Sequence, residues 1–150
     1  MGIGELRLGM SLQKMNQVLG TRIVAKKANK TLQDFDTVKI TYKGIAMLVC
    51  LSYTGYQDNA PETSIYGLAA SSSLLSTKSG VQMGMDKFEV IKKLDGMELH
   101  VGKDWRKDEH PEKKRFSTVA LDDYDNGSQL IMFFIDNKLT GFEVIFNEGC

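Results

Sequence analysis

The chain has 150 residues, of which 42% are hydrophobic and 25% are charged, a composition typical of a globular protein and not of a disordered chain. Nineteen basic residues balance nineteen acidic residues, which excludes the strong positive field that attracts nucleic acid or an anionic membrane. Since no apolar run reaches the roughly 20 residues that cross a bilayer, we expect no nucleic-acid partner and no direct membrane insertion of this segment.

The first predicted element is a short helix that follows the phrase Leu8-Gly9-Met10-Ser11. Ser11 is a good N-cap, because its side-chain oxygen can accept a backbone N–H of the first turn. One apolar helix face is predicted by the spacing of Leu12, Met15, Val18 and Leu19. Gly20 ends the helix, which is too short to be stable unless it packs on a sheet.

Alternating apolar and polar residues predict strands after this helix. The first strand covers Thr37 to Tyr42 and leads into a tight turn at Lys43-Gly44. Ile45 to Tyr53 returns, and Ser64 to Ala70 forms a third strand.

The opening phrase recurs 75 residues later as Met83-Gly84-Met85-Asp86. Asp86 is the predicted N-cap of a second short helix, which Gly96 ends. Its predicted apolar face consists of Phe88, Ile91 and Leu94, with Val90 flanking it.

Strands follow the second helix as they follow the first. They are predicted from Phe116 to Leu121, from Gln129 to Ile135 and from Leu139 to Phe146. Asn126-Gly127 predicts a type I′ hairpin, because this pair adopts the positive φ angles that such a turn requires, and Asp136-Asn137-Lys138 predicts another turn. Segments 21–34 and 97–115 leave open whether each adds a strand or a loop.

A second pair of markers repeats as well. Ile65-Tyr66-Gly67-Leu68 reappears 74 residues on as Leu139-Thr140-Gly141-Phe142, so two markers recur at nearly the same offset. We therefore expect an α+β fold of two tandem repeats, 1–73 and 74–150, each a short helical element packed on an antiparallel β-meander. The two halves should pack as one body, because a unit of about 75 residues buries too little surface to be stable alone.

The phrase Leu-Gly-Met-Ser-x3-Met-x3-Leu-Gly at 8–20 resembles the G-M-[ST]-x3-V-x3-L-G signature of the beta-lactamase-inhibitory-protein-like (BLIP-like) fold, which outer-membrane lipoproteins of the SmpA/OmlA type share. The copy at 83–96 is similar, with Asp95 where the family has glycine. Segment 77–84 also resembles a motif of tandem-repeat envelope proteins from Gram-positive bacteria. The resemblance implies a concave protein-binding surface and a location in the cell envelope or secreted. It does not imply beta-lactamase inhibition, because no motif matches the inhibitor's contacts.

The charged stretch 103–115 contains the only tryptophan of the chain. It is either a solvated loop with Trp105 packed back on the core, or a recognition loop in which Trp105 and Arg106 anchor a partner. The tyrosines expected to support partner binding are Tyr53, Tyr56 and Tyr124, and the methionines suited to an adaptable contact surface are Met47 and Met132.

Two strands, 45–53 and 130–135, are apolar on both faces. They are either central strands covered by the other half or by loops, or one face is an apolar concavity for a partner or another copy of the protein.

Cysteine and titratable residues indicate no reactive site. Cys50 is typical of a buried thiol, Cys150 is the last residue, and whether either is free stays open. No nucleophile elbow or phosphate-binding loop is present. The candidate metal ligands His100, Asp104, Asp108, Glu109 and His110 match no known spacing, and a turn explains the acidic cluster Asp122, Asp123 and Asp125 better than a calcium loop does. We expect no catalytic residue, cofactor or metal.

These observations favour a non-enzymatic protein-binding module of a bacterial envelope or secreted protein, with another protein or a second copy as partner. Such a module predicts an exposed apolar patch. The alternative is a carrier of a small apolar ligand, which predicts an enclosed pocket behind Phe133 or Phe134. A small enzyme, the third hypothesis, requires His100 or His110 within hydrogen-bond reach of a carboxylate in a cleft.

Overall fold

The computed structural model describes residues 1–24, 35–54, 62–103 and 115–147. Its class is α+β. In chain order the elements are β1 (Gly2–Ile3), β2 (Leu6–Arg7), α1 (Leu12–Leu19), β3 (Phe35–Tyr42), β4 (Ile45–Thr54), β5 (Glu62–Ala70), α2 (Lys87–Lys93), β6 (Leu99–Lys103), β7 (Phe116–Asp123), a 3-10 turn (Tyr124–Asn126), β8 (Ser128–Ile135) and β9 (Lys138–Phe146). No described helix is long and apolar enough to cross a bilayer.

Seven strands form one antiparallel sheet in the order β3-β4-β5-β9-β8-β7-β6, and β1 and β2 form a separate two-stranded ribbon. The three strands of the first half therefore join the four strands of the second half through the β5–β9 pair. The question left open for 97–115 is partly answered by β6, whereas residues 104–114 lie outside the described part of the chain, as do residues 25–34 of the other open segment.

Helix α1 begins and ends where the sequence predicts. The Ser11 hydroxyl accepts the backbone N–H of Lys14 at 3.3 Å, and Gly20 caps the other end at a left-handed φ of 63°. Met15 is fully buried, so the short helix is held by its packing on the sheet.

Helix α2 has the predicted N-cap, and Leu94 and Ile91 pack inward as expected, but Phe88 does not. Asp86 and Glu89 form a capping box. Phe88, expected to face the core, is 69% exposed, whereas Val90, expected to flank it, is fully buried together with Leu94. Val90 and Leu94 are one helical turn apart, so they fit the helical period as well as the predicted face that contains Phe88 does. The spacing alone therefore does not identify the side of the helix that packs on the sheet.

The register of the sheet identifies the face that meets the helices. Residues paired across neighbouring antiparallel strands lie on the same face, so one row can be followed across all seven strands. This row is Ile40, Met47, Ala70, Phe142, Met132, Val119 and Val101. All but Val101 are buried, and they pack with α1 in one half and with α2 in the other. The expectation that Met47 and Met132 form a contact surface is therefore wrong, because both belong to the core.

The neighbouring row points to the opposite side of the sheet, because side chains alternate along a strand. It is Lys39, Leu48, Ala69, Glu143, Ile131, Ala120 and His100. We call this side the open face, since both described helices pack on the other side. Apolar residues occur on both faces of β4 and β8, as the sequence indicated.

Both copies of the repeated phrase make the same contacts. The N–H of Gly9 donates to the carbonyl of Ile65 at 2.8 Å, and the N–H of Ile65 donates to the carbonyl of Met10 at 2.9 Å. Gly84-Met85 makes the same two bonds with Leu139, at 2.8 and 2.9 Å. Each phrase thus attaches the start of its helix to the last strand of its own half.

The second pair of markers coincides with a β-bulge in each half. Tyr66 is the extra residue between β5 and β4, and Thr140 is the extra residue between β9 and β8. The glycine that follows each of them, Gly67 or Gly141, pairs with a residue on the open face. A bulge of this kind bends and twists its strand.

The hairpin turns differ in one place from the prediction. Lys43-Gly44 and Asp136-Asn137 both have positive φ at two successive residues, which suits two-residue type I′ turns. Asn126-Gly127 does not form such a turn, because Tyr124–Asn126 is a 3-10 turn whose N-cap is Asp123, and only Gly127 has a positive φ.

Candidate functional site

A groove of about 930 Å³ lies on the open face. Its lining residues come from six neighbouring strands, β3, β4, β5, β9, β8 and β7, so the groove runs across the strands and not along them. The two halves of the chain therefore build it jointly.

The floor of the groove is low in the middle because the residues there are small. Ala69 and Gly141 lie on the two central strands, β5 and β9. A Cβ at Gly141 would lie 3.6 Å from the carbonyl oxygen of Ala70 and 3.8 Å from a ring carbon of Phe133, which are ordinary contacts. Glycine is therefore not sterically required there, and its effect is to leave the floor low.

The two ends of the groove differ in chemistry. Lys39 and Leu48 lie at one end, where Leu48 is 43% exposed. Phe116, Phe133 and Ile135 lie at the other end. An apolar lining with few polar groups is typical of a binding site.

Two hydroxyl groups of the groove form hydrogen bonds within the protein. The hydroxyl of Thr140 donates to the carbonyl of Phe133 at 3.1 Å, and the hydroxyl of Ser71 donates to the carbonyl of Thr140. Glu143 lies near the middle. Among the described residues Lys39 is the only lysine or arginine that lines the groove, and no ion pair involves it there. This arrangement can bind a segment by shape and charge.

A carboxylate network lies at the far edge of the open face. The Asp122 side chain is 5% exposed, and its Oδ2 lies 2.9 Å from His100 Nε2. Its other oxygen accepts from Gln129 at 2.7 Å and from Asn147 at 3.2 Å. The network joins β6, β7, β8 and the residue after β9. His100 thus has a carboxylate close by, as the enzyme hypothesis requires, but the pair does not line the groove.

The acidic cluster beside this network forms a turn, as the sequence indicated. The Asp123 carboxylate accepts the backbone N–H of Asn126 at 3.3 Å and its side-chain amide at 2.8 Å. Within the described ranges no group of three or more histidine, cysteine or acidic side chains is placed to hold a metal ion. Of the proposed metal ligands of the charged stretch, only His100 is described.

The predicted partner-binding residues are only partly described. Trp105, Arg106 and Tyr56 lie outside the described residues, as does the side chain of Tyr53. Tyr124 is 64% exposed in the turn between β7 and β8, and its hydroxyl donates to Glu98 at 3.5 Å. Tyr124 does not line the groove.

Cys50 is a free thiol in β4 that pairs with Gly67 on the open face. It is partly and not fully buried, and this burial raises its pKa, with Glu143 and Asp36 adding smaller effects in the same direction. A thiol held in its protonated form is a poor nucleophile. Cys150 lies outside the described residues.

Sequence reasoning missed most of the groove. The signal that could be read was the strand 130–135 with apolar residues on both faces, which includes Phe133. Lys39, Ala69 and Phe116 carried no such signal, because they meet only through the pairing of β5 with β9, a contact that local patterns do not reveal.

No protein-family model matches this chain, and the searches of characterised proteins and of solved structures return no match either.

Proposed function

We propose that this protein is a non-enzymatic binding module that takes a segment of another protein into the groove on its open face. The observation that carries this proposal is the apolar groove lining around the exposed Leu48 and the half-buried Phe133, on the side of the sheet that the described helices leave uncovered. Exposed apolar surface of this kind marks interaction sites in soluble domains.

The equal hydrogen bonds of the two Gly-Met phrases and the equal bulges of the two halves support a further part of the proposal, that the fold arose by duplication of a half-domain. Such a duplication is what the resemblance to the BLIP-like and SmpA/OmlA-type proteins implies. A bacterial envelope or secreted location belongs to the same proposal and rests on that resemblance alone.

The shape of the site favours a protein segment over a small apolar ligand. A carrier predicts an enclosed pocket behind Phe133 or Phe134. Phe133 lines a groove that is open along its length, and Phe134 is buried in the core beside α2. The groove's volume lies within the range of small-molecule pockets, roughly 300–1,000 Å³, so a direct ligand titration is the appropriate comparison.

The test begins with peptides selected from a random phage-displayed library on the intact protein. Leu48→Lys places a charge in the groove at an already exposed position, and we expect it to weaken the selected peptides roughly tenfold or more. The matched control is Leu74→Lys, because Leu74 is 69% exposed and does not line the groove. Control binding should stay within about twofold, and equal losses in both variants would contradict the proposed site.

Two measurements separate the other hypotheses. Calorimetric titration with dodecanoate should give no saturable heat, whereas a binding isotherm abolished by Leu48→Lys would favour the carrier. Sedimentation at several protein concentrations distinguishes self-association, because a second copy in the groove would produce a dimer that Leu48→Lys dissociates.

A further inference from the structure

We infer that the groove receives an extended segment of about six residues, laid across the strands, with an acidic side chain at the Lys39 end and a bulky apolar side chain at the Phe133 end. The inference rests on the proposed function and specifies the partner's chemistry. It is carried by the groove's volume, its length and the unequal chemistry of its two ends.

The length follows from the sheet. Neighbouring strands lie about 4.8 Å apart, and four such spacings separate β3, which carries Lys39, from β8, which carries Phe133. The two ends are therefore roughly 19 Å apart. An extended chain of about six residues covers that distance at about 3.3 Å per residue.

The volume of the groove gives a similar number of residues. In a packed sheet one residue takes up about 3.4 Å along its strand, about 4.8 Å to the next strand and about 10 Å to the next sheet. The product of these lengths is a volume of roughly 160 Å³ per residue. A groove of about 930 Å³ thus holds about six extended residues. An α-helix with its side chains is about 10–12 Å wide, whereas this volume spread over roughly 19 Å leaves a cross-section of only about 50 Å². The groove is therefore too narrow to enclose a helix, and an extended chain fits it better.

The charge of Lys39 determines which end of the groove receives the acidic side chain. Lys39 is exposed at one end and, among the described residues, no carboxylate pairs with it. Glu143, the other charged residue of the lining, lies three strands away, roughly 14 Å. An acidic side chain of the partner is therefore favoured beside Lys39 alone.

The aromatic end provides the second point of recognition. Phe116, Phe133 and Ile135 contribute apolar surface there. Buried aromatic and aliphatic anchors supply most of the affinity of protein interfaces. The partner motif is thus an acidic residue and, about five positions away, a phenylalanine, leucine or tryptophan.

The experiment is a charge exchange between protein and peptide. Library peptides that bind wild-type protein and lose binding to Leu48→Lys are synthesised in two forms, with glutamate or lysine at the acidic position. We expect Lys39→Met to weaken the glutamate peptide roughly two- to fivefold and Lys39→Glu to weaken it further. Lys39→Glu should bind the lysine peptide better than wild-type protein does. Seven-residue versions should retain most of the affinity.

Lys14→Glu is the control, since Lys14 is exposed on α1, on the helix side of the sheet, and the substitution changes net charge equally. It should leave both peptides within about twofold of wild type, and circular dichroism checks that each variant is folded. Peptides that require Leu48 but bind Lys39→Glu unchanged would overturn this inference and leave the proposed function standing. Peptides indifferent to Leu48→Lys, or a library without any binder, would overturn both.

Discussion

Alanine at Gly84 tests whether the repeated phrase builds the scaffold. Gly84 has a φ of 82°, and a Cβ built there meets no atom within 4 Å. Any loss of stability in Gly84→Ala must therefore come from backbone strain and not from a clash. The left-handed conformation costs a non-glycine residue about 1–2 kcal/mol. Reduced freedom of the unfolded chain offsets about 0.4–1 kcal/mol of this cost.

We expect Gly84→Ala to lower the free energy of unfolding by about 0.5–1.5 kcal/mol, which is a few degrees in Tm for a chain of this size. The matched control is Gly102→Ala in β6, where φ is not left-handed and the new Cβ would lie 3.5 Å from the Thr118 hydroxyl, an ordinary contact. It should be neutral or slightly stabilising.

Urea denaturation followed by circular dichroism measures both variants under identical conditions. The prediction is a difference of about 1–2 kcal/mol between Gly84→Ala and Gly102→Ala. Gly9→Ala should resemble Gly84→Ala, because Gly9 has a φ of 76° and its Cβ would meet only Phe146, at 3.6 Å. If Gly84→Ala were as stable as Gly102→Ala, the positive φ would not be a requirement of the fold.

Two further predictions concern the open face. Asp122→Ala should lower the free energy of unfolding by about 1–3 kcal/mol, because its buried carboxylate accepts hydrogen bonds from Gln129 and Asn147 and lies 2.9 Å from His100 Nε2. Asp125→Ala in the neighbouring exposed turn should stay within about 0.5 kcal/mol in the same urea titration, and equal effects would show that the network adds no stability. In a Cys150→Ser background, iodoacetamide should modify Cys50 more slowly in the folded than in the urea-unfolded protein at pH 8, because burial raises the pKa of the thiol. Equal labelling rates in the two states would contradict the raised pKa. By linkage, the raised pKa of Cys50 stabilises the folded protein below the pKa of the unfolded thiol, and this stabilisation is lost as pH rises through the pKa of the folded thiol.

The sequence predicted the parts of the fold that depend on local chemistry. Ser11 and Asp86 are N-caps because a short oxygen-bearing side chain can reach the first-turn N–H groups, and this requirement is visible in a few residues. The alternation of apolar and polar residues also predicted the strands. The sequence did not show whether Phe88 or Val90 faces the core from α2, because both fit the helical period and only packing on the sheet distinguishes them.

The groove was harder to predict, since it depends on which strands are neighbours. Lys39 and Phe133 are 94 positions apart in the sequence and share a site only because β5 pairs with β9. Asn126-Gly127 shows a smaller failure with a local cause. The Asp123 carboxylate accepts hydrogen bonds from Asn126 and thereby favours a 3-10 turn over the type I′ turn that the dipeptide alone favours.

The structure gives the repeated sequence markers a physical reason and shows where the two copies differ. In both halves a Gly-Met phrase bonds to the last strand, and a bulge one residue later brings a glycine opposite a residue of the open face. That residue is Cys50 in the first half and Phe133 in the second, and only Phe133 lines the groove. The two positions share backbone geometry and differ in side chain. The ring of Phe133 is half-buried and lies beside the position of a Cβ at Gly141, so it covers the glycine of the bulge and also contributes apolar surface to the groove.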